Sequence, residues 1–208
     1  MPKKIDLSTY PRKAHFEQFC RMKNPYFGVT VPVDVTRLVA YCKEADVSFT
    51  LAFLHAAALA ADEIPEFRRR IHGQQIWEYE ECPTSHIELT ENDTYCYCTL
   101  RHHMPKEDYF RIAEQARAEA RVRASVEDGD DAEQLYFVTC LPWLSYTSLL
   151  QPTDADSNPR ISWGKYETDA TGRRMMPVSV LLHHALADGL HVARFFEALT
   201  RQIDALIA

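Results

Sequence analysis

The chain has no run that approaches the roughly 20 apolar residues a helix needs to span a bilayer, so no transmembrane helix is expected. Its opening, MPKKIDLSTYPRKAHFEQF, is basic but lacks the hydrophobic segment that follows in a secretory signal. The six cysteines, Cys20, Cys42, Cys82, Cys96, Cys98 and Cys140, show no paired Cys-x-x-Cys spacing, which removes the common zinc frameworks. Dispersed thiols without a secretory leader point to the cytoplasm, where they stay reduced. A concentrated basic face is missing too. With 23 Lys and Arg against 30 Asp and Glu, the formal charge is -7, and a nucleic-acid binder, which must neutralise phosphates, is not expected. No internal repeat is present. What is there is 208 residues at 46% hydrophobic content, enough for one domain, residues 1–208, to bury a core without disulfides.

Periodicity gives a coarse outline. The segment to about Phe19 is polar with scattered aromatics. YFGVTVPVDV reads as a strand ending near Pro32, with Asp34 as N-cap for an amphipathic stretch through Leu38, Tyr41 and Cys42. From Ser48 or Thr50, LAFLHAAALAADEI is a helix apolar on more than one face and broken at Pro65, with His55 as a packing residue. QQIWEYEE, HIELT and TYCYCTL are strand candidates, and in the last of these Cys96 and Cys98 share one face as core. PKEDYFRIAEQARAEARVRASV reads as a surface helix with a Glu119–Arg123 pair, followed by the acidic loop EDGDDAE. LYFVTC is a strand, QPTDADSNPR is turn-rich, and ISWGKYE and MPVSVLL form a hairpin about Thr171 and Gly172. VARFFEALTRQIDALI closes the chain as an amphipathic helix. Strands interspersed with four helical segments give a mixed α/β layered fold.

The chemistry gathers in HHALADGLH, His183 to His191, directly after the apolar run MPVSVLL. An imidazole with an ordinary pKa near 6.5 takes and returns a proton at physiological pH, and a loop at the end of a buried strand supports it rigidly. Adjacent histidines at a strand end point to opposite sides, so at most one is the base. Asp188 fits three roles: bridge to a cation, loop brace, or N-cap of the next helix. Gly189 permits a close backbone approach. His183, Asp188 and His191 as metal ligands are a further alternative, although no distant ligand joins them, and His191 also fits a structural role at the helix start.

These residues resemble the chloramphenicol acetyltransferase family, whose signature is a doubled histidine followed by Asp-Gly, an aromatic and His; Leu190 stands here in place of the aromatic. RKAHFEQF, IPEFRRRIHGQQIWEYE, CLPWLSYTS, WGKY and MPVSVLLHH follow in the family's order, covering nearly the whole chain. The resemblance implies an α/β two-layer sandwich with a mixed β-sheet and packed helices. It also implies an acetyl-CoA-dependent O-acetyltransferase acting on a small hydroxylated acceptor, with chloramphenicol a candidate. By that resemblance His184 is the general base and His183 its structural neighbour. Asp188 pairs with Arg12 to brace the loop, a direct bond from the carboxylate to the imidazole being the rival arrangement. Thr139 takes the place of the family serine that supports the oxyanion, and Ser162 that of a threonine holding an ordered water. Phe19 stands where an acceptor-binding tyrosine occurs, and Tyr95, Tyr97 and Phe110 are candidates for the acceptor wall. Acetyl-CoA is the cosubstrate, no metal is expected, and the implied assembly is a homotrimer with active sites between subunits. Dihydrolipoamide acyltransferases carry a lipoyl domain and linker that this chain lacks, and condensation domains are about twice as long. A noncatalytic ligand-binding or assembly homologue is the alternative function.

Overall fold

Period-two apolar runs supply a central sheet and period-3.6 stripes supply the helices that cover it. The computed structural model describes residues 2–129, 131–153 and 156–208; residue 130 of the acidic loop and residues 154–155 of the turn-rich segment lie outside the described residues. In chain order the elements are β1 (Lys3–Lys4), α1 (Lys13–Phe19), β2 (Tyr26–Asp34), α2 (Thr36–Glu44), α3 (Phe49–Asp62), β3 (Arg69–His72), β4 (Gln75–Glu78) and β5 (Thr84–Leu89). They continue with β6 (Tyr95–Leu100), α4 (Lys106–Arg123), β7 (Tyr136–Leu141), β8 (Arg160–Gly164), β9 (Glu167–Thr168), β10 (Arg174–His183) and α5 (Gly189–Ile207). The main sheet runs in the order β2-β10-β8-β7-β5-β6, with β9 pairing β10, and β1-β4-β3 form a second, small sheet. The main sheet is mixed: β5/β7 and β7/β8 are parallel and the other pairs antiparallel. This is the expected two-layer α/β arrangement. None of the described helices is long and apolar enough to cross a membrane.

Among the described residues, one sheet face packs on helices and the other does not. Met176, Val178, Val180 and Leu182 of β10, with Ile161 and Trp163 of β8, join Leu51, Phe53 and Leu54 of α3 and Phe195 and Leu199 of α5 in one buried cluster. Their alternates across β7, β8, β10 and β2 are Thr139, Ser162, Ser179 and Thr30, which stand directly opposite one another in register. The same face of the sheet therefore carries a row of four hydroxyls. Ten of the fourteen residues of α3 are buried, so its apolar character on several sides reflects a helix enclosed by the sheet and other helices. Ser48 caps it through Leu51 N–H, and the chain then turns at Pro65 into a short 3₁₀ segment.

Several sequence expectations need correction. The polar N-terminal segment contains β1 and α1, because Phe16 and Tyr10 find a small apolar cluster with Ile76 and Leu186. QQIWEYEE is one half of a hairpin, β3–β4, turned at Gly73, whose φ of 60° favours glycine. β2 runs to Asp34, and the cap of α2 is Val35; the Asp34 carboxylate accepts from the Thr36 N–H at 2.9 Å. On α4, Glu119 accepts from Gln115, and the helix is not simply a surface element. Tyr109, Ala113 and Ala120 are buried, and Arg117 and Arg121 turn inward to Glu88 of β5. Phe110 packs against the core. Cys96 and Cys98 are core residues as expected, and all six cysteines are unpaired.

Gly164 ends β8 beneath the loop that follows β7. A Cβ there would lie 2.5 Å from the Leu144 carbonyl oxygen and 2.8 Å from the Tyr146 ring. Gly164→Ala is expected to lower stability by about 1–3 kcal/mol, as overpacking does. Urea titration followed by tryptophan fluorescence checks this; an unchanged midpoint would contradict it.

Candidate active site

The C-terminal end of β10 delivers His183 and His184 in different directions. His183 is buried, packs edge-on to Tyr26 with ring centroids 5.5 Å apart, and its Nδ1 accepts the Ala185 N–H. His184 leaves the strand, donating its backbone N–H to the Pro25 carbonyl at 2.8 Å. Its ring is stacked on Phe19 at 4.0 Å, with an interplanar angle of 11°, and lies 4.5 Å from Phe27. Nδ1 of His184 sits 3.1 Å from the Ala187 carbonyl oxygen. A carbonyl only accepts, so Nδ1 carries the proton and Nε2 presents the lone pair.

The segment after His184 is held from both sides. Asp188 is the N-cap of α5, accepting from the Leu190 N–H at 3.0 Å, and its own N–H donates to His191 Nδ1. The Asp188 carboxylate also pairs with Arg12, at the start of α1. The capping and bracing roles thus coexist, and the imidazole of His184 is oriented by a main-chain carbonyl instead of by Asp188. The alternative ligand set of His183, Asp188 and His191 is not formed: His191 is engaged with Asp188 and faces Glu66, while His183 bonds to Ala185.

Thr139 and Ser162 belong to a second group. Gln151 joins them, its Nε2 donating to Thr139 Oγ1 at 3.0 Å and its Oε1 accepting from Ser162 Oγ at 3.0 Å. Because Thr139 oxygen accepts the amide proton, its own hydroxyl proton is left to donate elsewhere. Thr139, Tyr95, Tyr97, Phe137, Asp128 and Arg160 are among the residues lining a cleft of about 550 Å³. Arg160 is fixed there by Asp156 at 2.7 Å and by the Tyr26 hydroxyl at 3.0 Å. Sequence reasoning missed Gln151, Asp128 and Arg160. Arg160 had a signal, being a charged residue at the head of the apolar strand ISW, whereas Gln151 in a turn-rich segment had none.

Within one chain the two groups do not meet. Thr139 lies level with Ser162 and Ser179 across the sheet, and His184 is five residues beyond Ser179. At strand spacings this is about 17 Å along β10 and about 10 Å across it. Phe19 belongs with His184; Tyr95, Tyr97 and Ser162 belong with Thr139.

Two titrating groups set the acid behaviour of the His184 end. Burial lowers the His183 pKa to about 4. Burial alone would raise that of Asp188, but the bond from Arg12 and the charges of His191 and Arg12 bring it below the usual carboxylate range. Between about pH 6.5 and 4 the unfolded chain binds a proton at His183 that the folded chain does not, so stability falls as pH falls through that window. The Asp188 contribution is present above the unfolded carboxylate value, about 4, and is lost only below it. His183→Asn keeps an acceptor for Ala185 N–H, and is expected to flatten the decline between pH 6.5 and 4. Urea midpoints measured across that range check it; an identical slope in the variant would rule His183 out as its source.

Residues 2–200 match the model of the family described as chloramphenicol acetyltransferase. A chloramphenicol acetyltransferase of Escherichia coli is 30% identical over 206 residues, covering 96% of this chain and 93% of that one. One from Streptomyces acrimycini is also 30% identical and covers 100% of this chain and 94% of its own. A solved chloramphenicol acetyltransferase structure superposes with a TM-score of 0.84 at 26% identity, over 98% of this chain and 100% of that one. The chain therefore belongs to the chloramphenicol acetyltransferase family and is an acetyl-CoA-dependent O-acetyltransferase.

Proposed function

We propose that residues 1–208 form one acetyltransferase domain that acetylates a hydroxyl of a small acceptor, with His184 as general base, in sites shared between the subunits of a homotrimer. The observation that carries this reading is the His184 tautomer: Nδ1–H on the Ala187 carbonyl leaves Nε2 free to accept a proton. Nε2 takes the acceptor hydroxyl proton as that oxygen attacks the thioester carbonyl of acetyl-CoA. The tetrahedral oxyanion accepts a hydrogen bond from the free Thr139 hydroxyl proton. Collapse breaks the carbon–sulfur bond, and the imidazolium returns its proton to the leaving coenzyme A sulfur. Ser162 orders a water beside the reacting centre, and the Arg12–Asp188 pair keeps the loop that carries His184 in place. No step calls on a metal.

Sharing of sites follows from the distance between the two groups. A base and an oxyanion donor separated by about 17 Å along one sheet act together only if they come from different chains. Trp143, Leu144 and Leu150, in the loop after β7, are exposed, as is Leu190 beside Asp188, and such apolar surface suits a subunit contact. The cleft around Thr139 combines Tyr95, Tyr97 and Phe137 with Arg160 and Asp128. It fits an acceptor with an unsaturated or ring portion and polar substituents; chloramphenicol is one candidate of that kind. Unpaired thiols and the use of acetyl-CoA agree with a cytoplasmic enzyme.

Thiol release from acetyl-CoA, screened against chloramphenicol and other small alcohols, should occur only with a suitable acceptor. His184→Ala is expected to reduce turnover by about 10²–10⁴-fold with assembly intact, and Thr139→Ala by about 10²-fold. Unchanged turnover in His184→Ala would refute the assignment of the base. Co-refolding the two impaired variants tests sharing: an interface between a His184-bearing chain and a Thr139-bearing chain rebuilds one intact site, so turnover should rise above that of either variant alone. No recovery in assembled hybrids would place each site within a single chain.

A further inference from the structure

Asp62 ends α3, and His102 and His103 lie in the irregular segment between β6 and α4. Successive side chains of a strand point apart. Here, outside the strand, the two rings come to 4.7 Å between centroids, and both Nε2 atoms reach the same Asp62 Oδ2, at 2.8 and 2.7 Å. The three donor atoms lie within 4.8 Å of one another. The other carboxylate oxygen is held in place, accepting from the Tyr136 hydroxyl at 2.7 Å and the Cys82 N–H at 3.3 Å. The His102 carbonyl is bound in turn by His55 Nε2 at 3.0 Å. His102 and Asp62 are 2% and 6% exposed in their side chains and His103 is 47% exposed, so protein encloses the cluster on one side and solvent reaches it on the other.

We propose that Asp62, His102 and His103 bind a divalent d-block cation of the Zn²⁺ type, apart from the His184 and Thr139 groups. Two imidazoles and one carboxylate are a borderline ligand set, which favours Zn²⁺, Co²⁺ or Ni²⁺ over the oxygen-seeking Mg²⁺ and Ca²⁺. Metal–ligand bonds of about 2.0–2.2 Å in a tetrahedral site put the donors about 3.3 Å apart, so each Nε2 moves off Asp62 Oδ2 by roughly 0.5 Å from its present 2.8 or 2.7 Å. Half-exposed His103 takes up that movement. In the metal-bound form each imidazole carries its ring proton on Nδ1 and gives the Nε2 lone pair to the cation, and water fills the remaining position. The Tyr136 and Cys82 bonds orient the carboxylate, the outer-shell support that metal sites use. The C-terminal end of α3 adds its negative dipole beneath the cation. The bound ion ties α3 to the segment entering α4 and, through Tyr136, to β7. It acts on stability and takes no part in acetyl transfer.

Equilibrium dialysis of the assembled protein against Zn²⁺, with thermal melts and Co²⁺ absorption in parallel, tests the site. One Zn²⁺ per chain should bind, raise Tm by about 5 °C or more at roughly 100 times Kd, and Co²⁺ should give the visible bands of a four- or five-coordinate site. His103→Ala, at a half-exposed position, should weaken binding at least about tenfold and abolish the melting shift, with the metal-free Tm and acetyl transfer unchanged. Asp62→Asn, which keeps the side-chain shape, should lose binding likewise, whereas His184→Ala should retain it. Absence of Zn²⁺ binding, binding undiminished in His103→Ala, or binding lost in His184→Ala would each overturn the proposal.

Discussion

The hydrogen-bonded register of β10 is the constraint on which both halves of the chemistry depend. Nine successive pairs, Met175 to His183, lock it to β2, and four, Val178 to Leu181, lock it to β8. A slip of one residue would exchange its two faces, turning Val178 and Val180 out of the core and Ser179 into it. The same ladder decides where His184 leaves the sheet and which hydroxyls stand level with Ser179. Pro32 and Pro177 face each other across β2 and β10, and Pro177 lies just past the pairs made with β8, where a missing N–H costs no bond on that side. The strand tolerates a proline at that point without disturbing Val178, Val180 and Leu182, which face the core.

Around this frame, two buried charges, Glu88 and Arg70, are drawn into dense sets of partners. The Glu88 carboxyl, which burial would raise, is instead lowered to about 2 by His86 and by the guanidinium of Arg117. Arg121 binds its other oxygen. Arg70, almost fully enclosed, donates to the carbonyls of Phe67, Arg69, Glu133, Gln134 and Leu135, and so joins the small sheet to the start of β7. Removing one partner from such an arrangement leaves a charge without compensation, which costs far more than the pair contributes. These networks anchor α4 to β5, and the small sheet to the start of β7, the strand that carries Thr139.

What could be read from residues alone was local in sequence. The apolar run before His183, the Asp-Gly after it and the amphipathic stripe of α5 lie within one continuous segment, so strand, loop and helix follow from spacing. Cys96 and Cys98 could be assigned to the core because period-two alternation is itself a statement about faces. The rest depended on contacts between distant segments. That Gln151 bridges Thr139 and Ser162, that Arg117 and Arg121 turn to Glu88, and that His102 and His103 share Asp62 are relations across 11 to 41 residues, and no local pattern encodes them. α1 and β1 were missed because two or seven residues give too few periods to register, and their burial is supplied by Ile76 and Leu186. The separation of His184 from Thr139 was hidden for the same reason, since it is a property of strand order.

The group that orients His184 has an evolutionary consequence. In a side-chain relay, a single codon change can remove the orienting atom, and selection on that codon leaves a visible trace. Here the atom is the carbonyl oxygen of Ala187, which every amino acid supplies. Replacing the side chain removes no atom of the contact; because Ala187 is buried, a larger residue there acts by shifting the turn between β10 and α5 that presents the oxygen. The heritable information for the tautomer is therefore stored in the shape of the turn, held by small, buried Ala187 and by the Asp188 cap of α5, and a search for an acidic partner of the imidazole would pass over it.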